Sequence, residues 1–327
     1  MKMHYTNRYN LPLSMALFLL NDTYDGNSDN PYQISASTLL KSIRKIVLYK
    51  RLPDNLITDI SDNITSRLGT AYHKAVEDSW LNNPQDSMAL LNYPAKMRDN
   101  IVVNPSDDYL LNNPNAIPVY LEQRVQRDIG KWTITGQYDL IVNGVLEDIK
   151  STSVFNYLSQ NKVEDYTLQG NIYKWLNPEK ITEPYMNINY ILTDWSAGRA
   201  RTDKNYPPLK IVIQKLPLSS PDKTEAFIKN KLTQIQLNLN KPEHELPECS
   251  DIDLWRRETV YKYFSNPDNK QSTKNFDNLF EASSYAASKG KGVVVTVPGE
   301  VTACKYCAAF SICSQKDKYL LSGELKL

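Results

Sequence analysis

The chain predicts an α/β protein in which helices lead into a mixed, twisted β-sheet. Three observations carry that expectation. A helix-start signature, Ser35-Ala36-Ser37-Thr38, precedes apolar residues at helical spacing. Three stretches of alternating β-type residues, 119–125, 132–142 and 145–151, follow a segment rich in Asn and Pro. A helical run at 165–176, ended by Asn177-Pro178, is then followed by strand-like runs at 185–192 and 209–216.

The 327 residues suffice for one large domain or two modest ones with a substantial core. Hydrophobic content of 41% and charged content of 23% are ordinary for a soluble globular protein. The 38 basic and 37 acidic side chains nearly cancel, so a nucleic-acid surface would need local segregation of charge. The apolar run at 11–20 follows Lys2 and Arg8, as in a secretory signal. However, Pro12 interrupts it, Asn21 and Asp22 end it, and no small-residue cleavage site follows. The run is too short to span a bilayer. A short buried helix in a cytoplasmic protein is expected.

Leu39, Leu40, Ile43, Ile46 and Val47 continue the first helical pattern, with Lys41, Arg44, Lys45, Lys50 and Arg51 on a basic side. A second helix runs from after Pro53 to about Trp80. Residues 82–118 read as irregular chain with one short helix near 86–91. After the strands and the 165–176 helix, a further helix covers 222–239 and a break follows at 242–247. The remainder carries two helical stretches and a strand at 292–297.

Asn143-Gly144 signals a two-residue type I′ turn. Val142 then pairs with Val145, and Asp139 lies opposite Asp148, with Cβ atoms roughly 4.5–5.5 Å apart. Two carboxylates so close need a cation or a shared proton, and a Mg²⁺-type ion meets that need. Lys150 shares the face of Asp148, where an ammonium can orient or deprotonate water and stabilise a pentacovalent phosphate. Tyr138, Leu140, Val142, Val145 and Ile149 face the opposite way, toward a core.

Gly69, His73 and Glu77 form one helical stripe, from which the His73 imidazole can complete the shell of a cation. Gln169 and Tyr173 share a face of the next helix and can hydrogen-bond or stack on a nucleic acid. Lys41, Arg44, Lys45 and the Arg256-Arg257 pair are candidate phosphate contacts, although a solvated face explains each singly.

The order Gly69-x3-His73-x3-Glu77, Gly136-x2-Asp139, Asp148-x-Lys150 and Gln169-x3-Tyr173 resembles the RecB-like exonuclease branch of the PD-(D/E)XK superfamily. Residues 44–51, Leu68-Gly69-Thr70-Ala71 and Gly136-Gln137-Tyr138-Asp139-Leu140 are similar to bacteriophage nucleases of recombination and DNA processing. The resemblance spans about residues 35–315. It implies a restriction-endonuclease-like core and a Mg²⁺- or Mn²⁺-dependent DNA nuclease, an exonuclease, that leaves 5′-phosphates. His73, Asp139, Asp148 and the Ile149 carbonyl would bind the metal, Lys150 would act on water, and Gln169 and Tyr173 would contact DNA. The implied partners are single- or double-stranded DNA ends and a phage recombinase or single-strand-binding protein, in the cytoplasm of a bacterial host, with no membrane. A catalytically silent DNA-binding or assembly factor on the same fold is the alternative.

Cys304-x2-Cys307-x5-Cys313 with Cys249 supplies four thiolates, enough for a tetrahedral zinc or an iron–sulfur cluster. So few cysteines, three of them near the end of the chain, suggest a metal centre in a reducing compartment more than disulfides. The C-terminal spacing resembles that of iron–sulfur nucleases, which implies a [4Fe–4S] cluster with a structural role, zinc being the alternative. In those families the fourth cysteine precedes the nuclease motifs, whereas Cys249 follows them. The expected division is a nuclease core with its N-terminal helices at 1–245 and a segment closed by the cysteine centre at 246–327.

Overall fold

The computed structural model describes residues 4–21, 30–53 and 56–327. Lys2 and Asp22, which entered the reading of the N-terminal apolar run, lie outside them. The chain divides into two compact units. The first comprises residues 1–40 and 54–231, the second residues 41–53 and 232–327. The division therefore does not follow the expected line at 245/246. Residues 41–53 belong with the cysteine segment, and the boundary falls inside the helix Pro221–Asn238.

The first unit is mixed α/β, the expected class, with mixed sheets and flanking helices. Six strands lie in the order Ile211–Pro217, Tyr185–Leu192, Val145–Thr152, Leu140–Val142, Ile117–Leu121 and Ile101–Val103. Tyr185–Leu192 pairs parallel with Val145–Thr152, while Leu140–Val142 is antiparallel to both of its neighbours. A second sheet has Trp132–Gln137 between Gln33–Ser35 and Arg124–Ile129.

The Asn143-Gly144 turn forms with positive φ at both residues, 47° and 84°, as a type I′ turn requires. Val142 pairs with Val145 and Leu140 with Glu147, which is the expected register. The stretch expected as one strand at 132–142 is instead two. It breaks at Tyr138–Asp139, leaving one sheet and joining the other. Its partner, expected as a single strand at 119–125, breaks opposite at Glu122–Gln123. Leu121 pairs with Leu140 and Arg124 with Gln137, so one register persists across the break. The two stretches thus form a single antiparallel ribbon, bent where it passes between sheets.

Leu140 and Ile149 bury against Ile101, Val119 and Leu121, as alternation requires, and Val76 and Trp80 of the helix Ile64–Leu81 cover that face. The segment expected to be irregular holds more order than one short helix. Besides Pro84–Leu90 it forms the helices Ala95–Asn100 and Asp107–Asn112 and the edge strand Ile101–Val103. These elements are too short to show a period. The apolar run near the N-terminus forms the helix Leu13–Leu20, but only Leu19 is buried and Leu13 is 73% exposed, which corrects the expected buried helix. Among the described residues no helix is long and apolar enough to cross a membrane.

The second unit contains the helix Ile43–Tyr49 and the strands Val260–Phe264, Lys274–Phe276 and Val293–Val297, with the helix Leu279–Lys289 packed on them. Only the last of those strands is expected from sequence. The C-terminal helix is Gln315–Leu321.

Gly136 is needed by the packing of the helix Val163–Leu176 on the Trp132–Gln137 strand. A Cβ there would lie 2.8 Å from Leu176 Cδ1 and 2.9 Å from Tyr173 Cε1. Gly136→Ala should destabilise the protein by about 1–3 kcal/mol through overpacking. Urea denaturation measures this, and an unchanged midpoint would contradict the close approach.

Candidate active site and cysteine centre

The bend in the ribbon builds the site. Asp139 lies one residue beyond the end of the Leu140–Glu147 ladder, and its Oδ2 accepts the Ile149 N–H at 2.7 Å. Pairing with the Asp148 strand therefore continues through the carboxylate where the backbone ladder stops. Across the ribbon, Glu122 N–H donates to the Asp139 carbonyl at 2.8 Å. Glu122 stands at φ 48°, a left-handed conformation that long side chains adopt rarely and at a cost. Its Oε2 accepts from Gln137 Nε2 at 2.8 Å, and its Oε1 lies 3.7 Å from His73 Nδ1.

His73 projects from the helix Ile64–Leu81 with Nδ1 3.4 Å from Asp139 Oδ1 and Nε2 3.0 Å from the Ile149 carbonyl oxygen. Burial opposes charge on this ring, but Glu122 and Asp139 prevail and raise its pKa to about 9. The ring is then a cation, and its Nε2–H makes the contact with the carbonyl. Asp139 is pushed up to about 7, first by burial and then by the neighbouring Asp148. Asp148 is 2% exposed, and Oδ2 faces the Lys150 ammonium at 2.5 Å. This is an ion pair without an aligned hydrogen bond to Oδ2. Burial works against the Lys150 charge, yet Asp148 and Asp139 overcome it and raise the pKa further. Lys150 is therefore a fixed cation in this state rather than a base. The Tyr166 ring lies 5.3 Å from its Nζ.

His73, Glu122 and Asp139 each offer one ligand atom, and these atoms lie within 4.8 Å of one another. With the buried Asp148 carboxylate and the Ile149 carbonyl close by, the donor set is mostly oxygen with one imidazole. That suits a hard divalent cation, whose charge would relieve the carboxylate repulsion now met by protons. Glu122 was missed from sequence. Its one signal is its place 17 positions before Asp139 on the preceding strand, and that becomes a pairing only once the hairpin loop is known.

Gln169 and Tyr173 do share a helix face, and Gln169 Nε2 donates to the Tyr173 hydroxyl at 3.0 Å. The Tyr173 ring is buried against Gly136, while Gln169 is half-buried. Glu77 pairs with Lys74 at 2.9 Å on the helix surface, away from the carboxylate group.

The basic residues expected to contact phosphate have other partners. Arg44 is 3% exposed. Its guanidinium donates to Leu246 O at 2.8 Å and to Cys313 Sγ at 3.3 Å, and pairs with Glu243. It therefore cannot serve as a surface contact in this state. Lys45 donates to Asp253 O at 3.1 Å, and the Lys41 ammonium lies 5.1 Å from the Tyr49 ring centre. Arg256 is bound to Asp251 and Glu324, and Arg257 lies 3.9 Å from Glu300.

Cys249, Cys304, Cys307 and Cys313 line one cavity in the second unit, and all are free thiols. Burial raises the Cys304 thiol to about 11, helped by the three other cysteines around it. Gln315 clamps the Cys249 backbone, accepting from its N–H at 2.9 Å and donating to its carbonyl at 3.1 Å. Four thiols on one cavity supply the donor set that either a tetrahedral zinc or an iron–sulfur cluster takes.

No protein-family model matches the chain, and no curated protein does. Among solved structures, the protein SSO0001 is similar over 69% of this chain and 87% of its own, at 15% identity and TM-score 0.39. A phage-related exonuclease from Haemophilus somnus 129PT is similar over 63% and 92%, at 13% identity and TM-score 0.28. At these scores neither likeness bears on the chain's activity.

Glu122→Asn provides a test of the strained residue, because Asn tolerates the left-handed region and has no carboxylate. The variant should melt no lower than wild type while binding Mn²⁺ about 10–100-fold more weakly, as read by a calorimetric or spin-resonance titration. Unchanged Mn²⁺ affinity would remove Glu122 from the cation site.

Proposed function

We propose that the chain is a metal-dependent deoxyribonuclease of the PD-(D/E)XK type, with exonuclease action on DNA ends. The observation that carries this reading is that His73 and Asp139 meet Ile149 through its carbonyl and its N–H, while the flanking Asp148 and Lys150 form an ion pair. Residues from a helix, a strand and the bend between two strands, picked out by three of the four motifs, are thus brought together.

His73, Glu122, Asp139, Asp148 and the Ile149 carbonyl would hold Mg²⁺ or Mn²⁺. When bound, such an ion supplies Lewis-acid polarisation of the scissile phosphate and neutralises its charge. The chain's own residues supply the rest. Lys150, kept cationic by Asp148, offers its ammonium to the charge that grows on the phosphoryl oxygens as water adds and the P–O3′ bond breaks. Asp148 aims that ammonium, and the Tyr166 ring shields it from solvent. The products are a 5′-phosphate and a 3′-hydroxyl. Gln169 would hydrogen-bond DNA, and Tyr173 would act by orienting Gln169 through its hydroxyl. The four cysteines would hold a [4Fe–4S] cluster with a structural role, a reading supported by their meeting at one cavity.

Protein purified without oxygen and given Mg²⁺ or Mn²⁺ should degrade end-labelled single- or double-stranded DNA. Asp148→Ala and Lys150→Ala should each lower the rate on the order of 10²-fold or more while DNA binding persists. A variant that keeps a tenth of the wild-type rate sinks the assignment. His73→Ala should act more mildly, raising the Mg²⁺ concentration for half-maximal activity, since water can replace one ligand of a hard cation. Overlaid metal titrations would make His73 a packing residue only.

The anaerobic protein should be brown and contain iron, and replacing any of the four cysteines by Ser should remove the iron and lower the melting temperature. About one zinc per chain and no iron would refute the cluster and keep the site. Four free thiols with neither metal would overturn both.

A further inference from the structure

Three of the four cysteines have a side-chain partner in one short stretch, residues 42–49, between 207 and 269 positions away in sequence. Ser42 Oγ lies 3.2 Å from Cys249 Sγ, and Tyr49 Oη lies 3.9 Å from Cys307 Sγ. Arg44 Nε donates to Cys313 Sγ at 3.3 Å. Cys304 differs. Among the described residues no side-chain donor reaches it, and its packing on the Leu254, Val301 and Tyr319 cluster is shared with Cys249.

The direction of these bonds follows from chemistry. A sulfur that ligates a metal carries no proton, so the hydroxyls of Ser42 and Tyr49 must donate. Ser42 is prepared for this. As the N-cap of the helix Ile43–Tyr49, its oxygen accepts the Lys45 N–H at 3.3 Å, which leaves its own proton for the sulfur. Arg44 is a buried cation beside the same centre. Four thiolates around either zinc or a [4Fe–4S]²⁺ core carry a net charge of about −2, and the Arg44 guanidinium, although paired with Glu243, sets its positive Nε–H against one of them.

We infer that Ser42, Arg44 and Tyr49 are positioning residues of the cysteine centre, holding three sulfurs in their unprotonated, ligating form and balancing their charge. The inference rests on the reading of the cysteines as metal ligands. It also gives Arg44, expected from sequence to contact phosphate, a role toward the metal centre rather than toward DNA.

Ser42→Ala and Tyr49→Phe each remove one hydroxyl with little change in volume, and Arg44→Met with Glu243→Gln removes the buried ion pair together, avoiding an orphaned charge. Circular dichroism and DNA cleavage report whether each variant keeps its fold. Metal release is followed with a colorimetric chelator, and iron-bearing protein is titrated with dithionite as the one-electron donor. Each hydroxyl variant should release metal about threefold faster, the worth of one hydrogen bond. Its ratio of reduced to oxidised cluster at a fixed potential should fall by a similar factor, because the added negative charge has lost a donor. The double variant should show a larger change in the same direction.

If the bound metal is zinc, the pH at which half of it is taken up should instead move upward, since the thiolates are less well stabilised. Folded variants with wild-type release and a wild-type midpoint, in potential or in pH, would overturn the inference. A wild-type chain binding neither metal would fail the underlying reading, and the inference with it.

Discussion

A two-stranded ribbon that keeps one register while passing between two sheets has to bend somewhere. Here it bends at Glu122 and Asp139, with Glu122 held at φ 48°. The strain is of the order of 1–3 kcal/mol, and it is tolerated because pairing on both sides of the bend is undisturbed. Where the ladder is interrupted, backbone groups lose regular partners and side chains take their place. Asp139 accepts the Ile149 N–H, and Glu122 turns toward His73. The cluster of His73, Glu122 and Asp139 thus follows from the bend in the ribbon.

Around this bend the charges are arranged at close quarters. Asp148, almost wholly buried, is tolerable only because Lys150 faces it. Asp139 is pushed toward neutrality by the same neighbourhood, and His73 is drawn into its charged form. Two cations and several carboxylates in so little space form a balanced set, which removal of any one would upset. A divalent ion in this set would add to the positive charge that His73 and Lys150 already place against the carboxylates.

The cysteine unit solves a related problem in a different way. Its sulfurs come from the C-terminal third of the chain, while three of their hydrogen-bond partners come from residues 42–49. Chain segments far apart in sequence are therefore joined by polar contacts at one cavity. That explains why residues 41–53 fall in this unit rather than with their sequence neighbours. Arg44 illustrates the hazard of reading charge from a linear pattern. On a helical wheel it belongs to a basic face, whereas in the folded protein it is an interior ion with sulfur, carbonyl and carboxylate partners.

Much of the site was legible because its parts obey local rules. Asn143-Gly144 dictates a tight turn with positive φ at both residues, a tight turn sets the register, and the register puts Asp148 and Lys150 on one face with Ile149 on the other. His73 was found through helical spacing, and the strand 185–192 through alternation. What stayed hidden depended on contacts that no short window contains. The break at Tyr138–Asp139 has no punctuating residue at the bend itself, since alternation runs through it. It arises because the two halves of the ribbon are claimed by different sheets. Glu122 is one acidic residue among many until the fold sets it opposite Asp139. Burial of Arg44 likewise follows from packing with residues some 200 positions later. Periodicity is a property of the backbone and can be read along the chain, whereas which charges meet is decided by long-range packing, when each buried ion must find a partner from whatever the fold brings near.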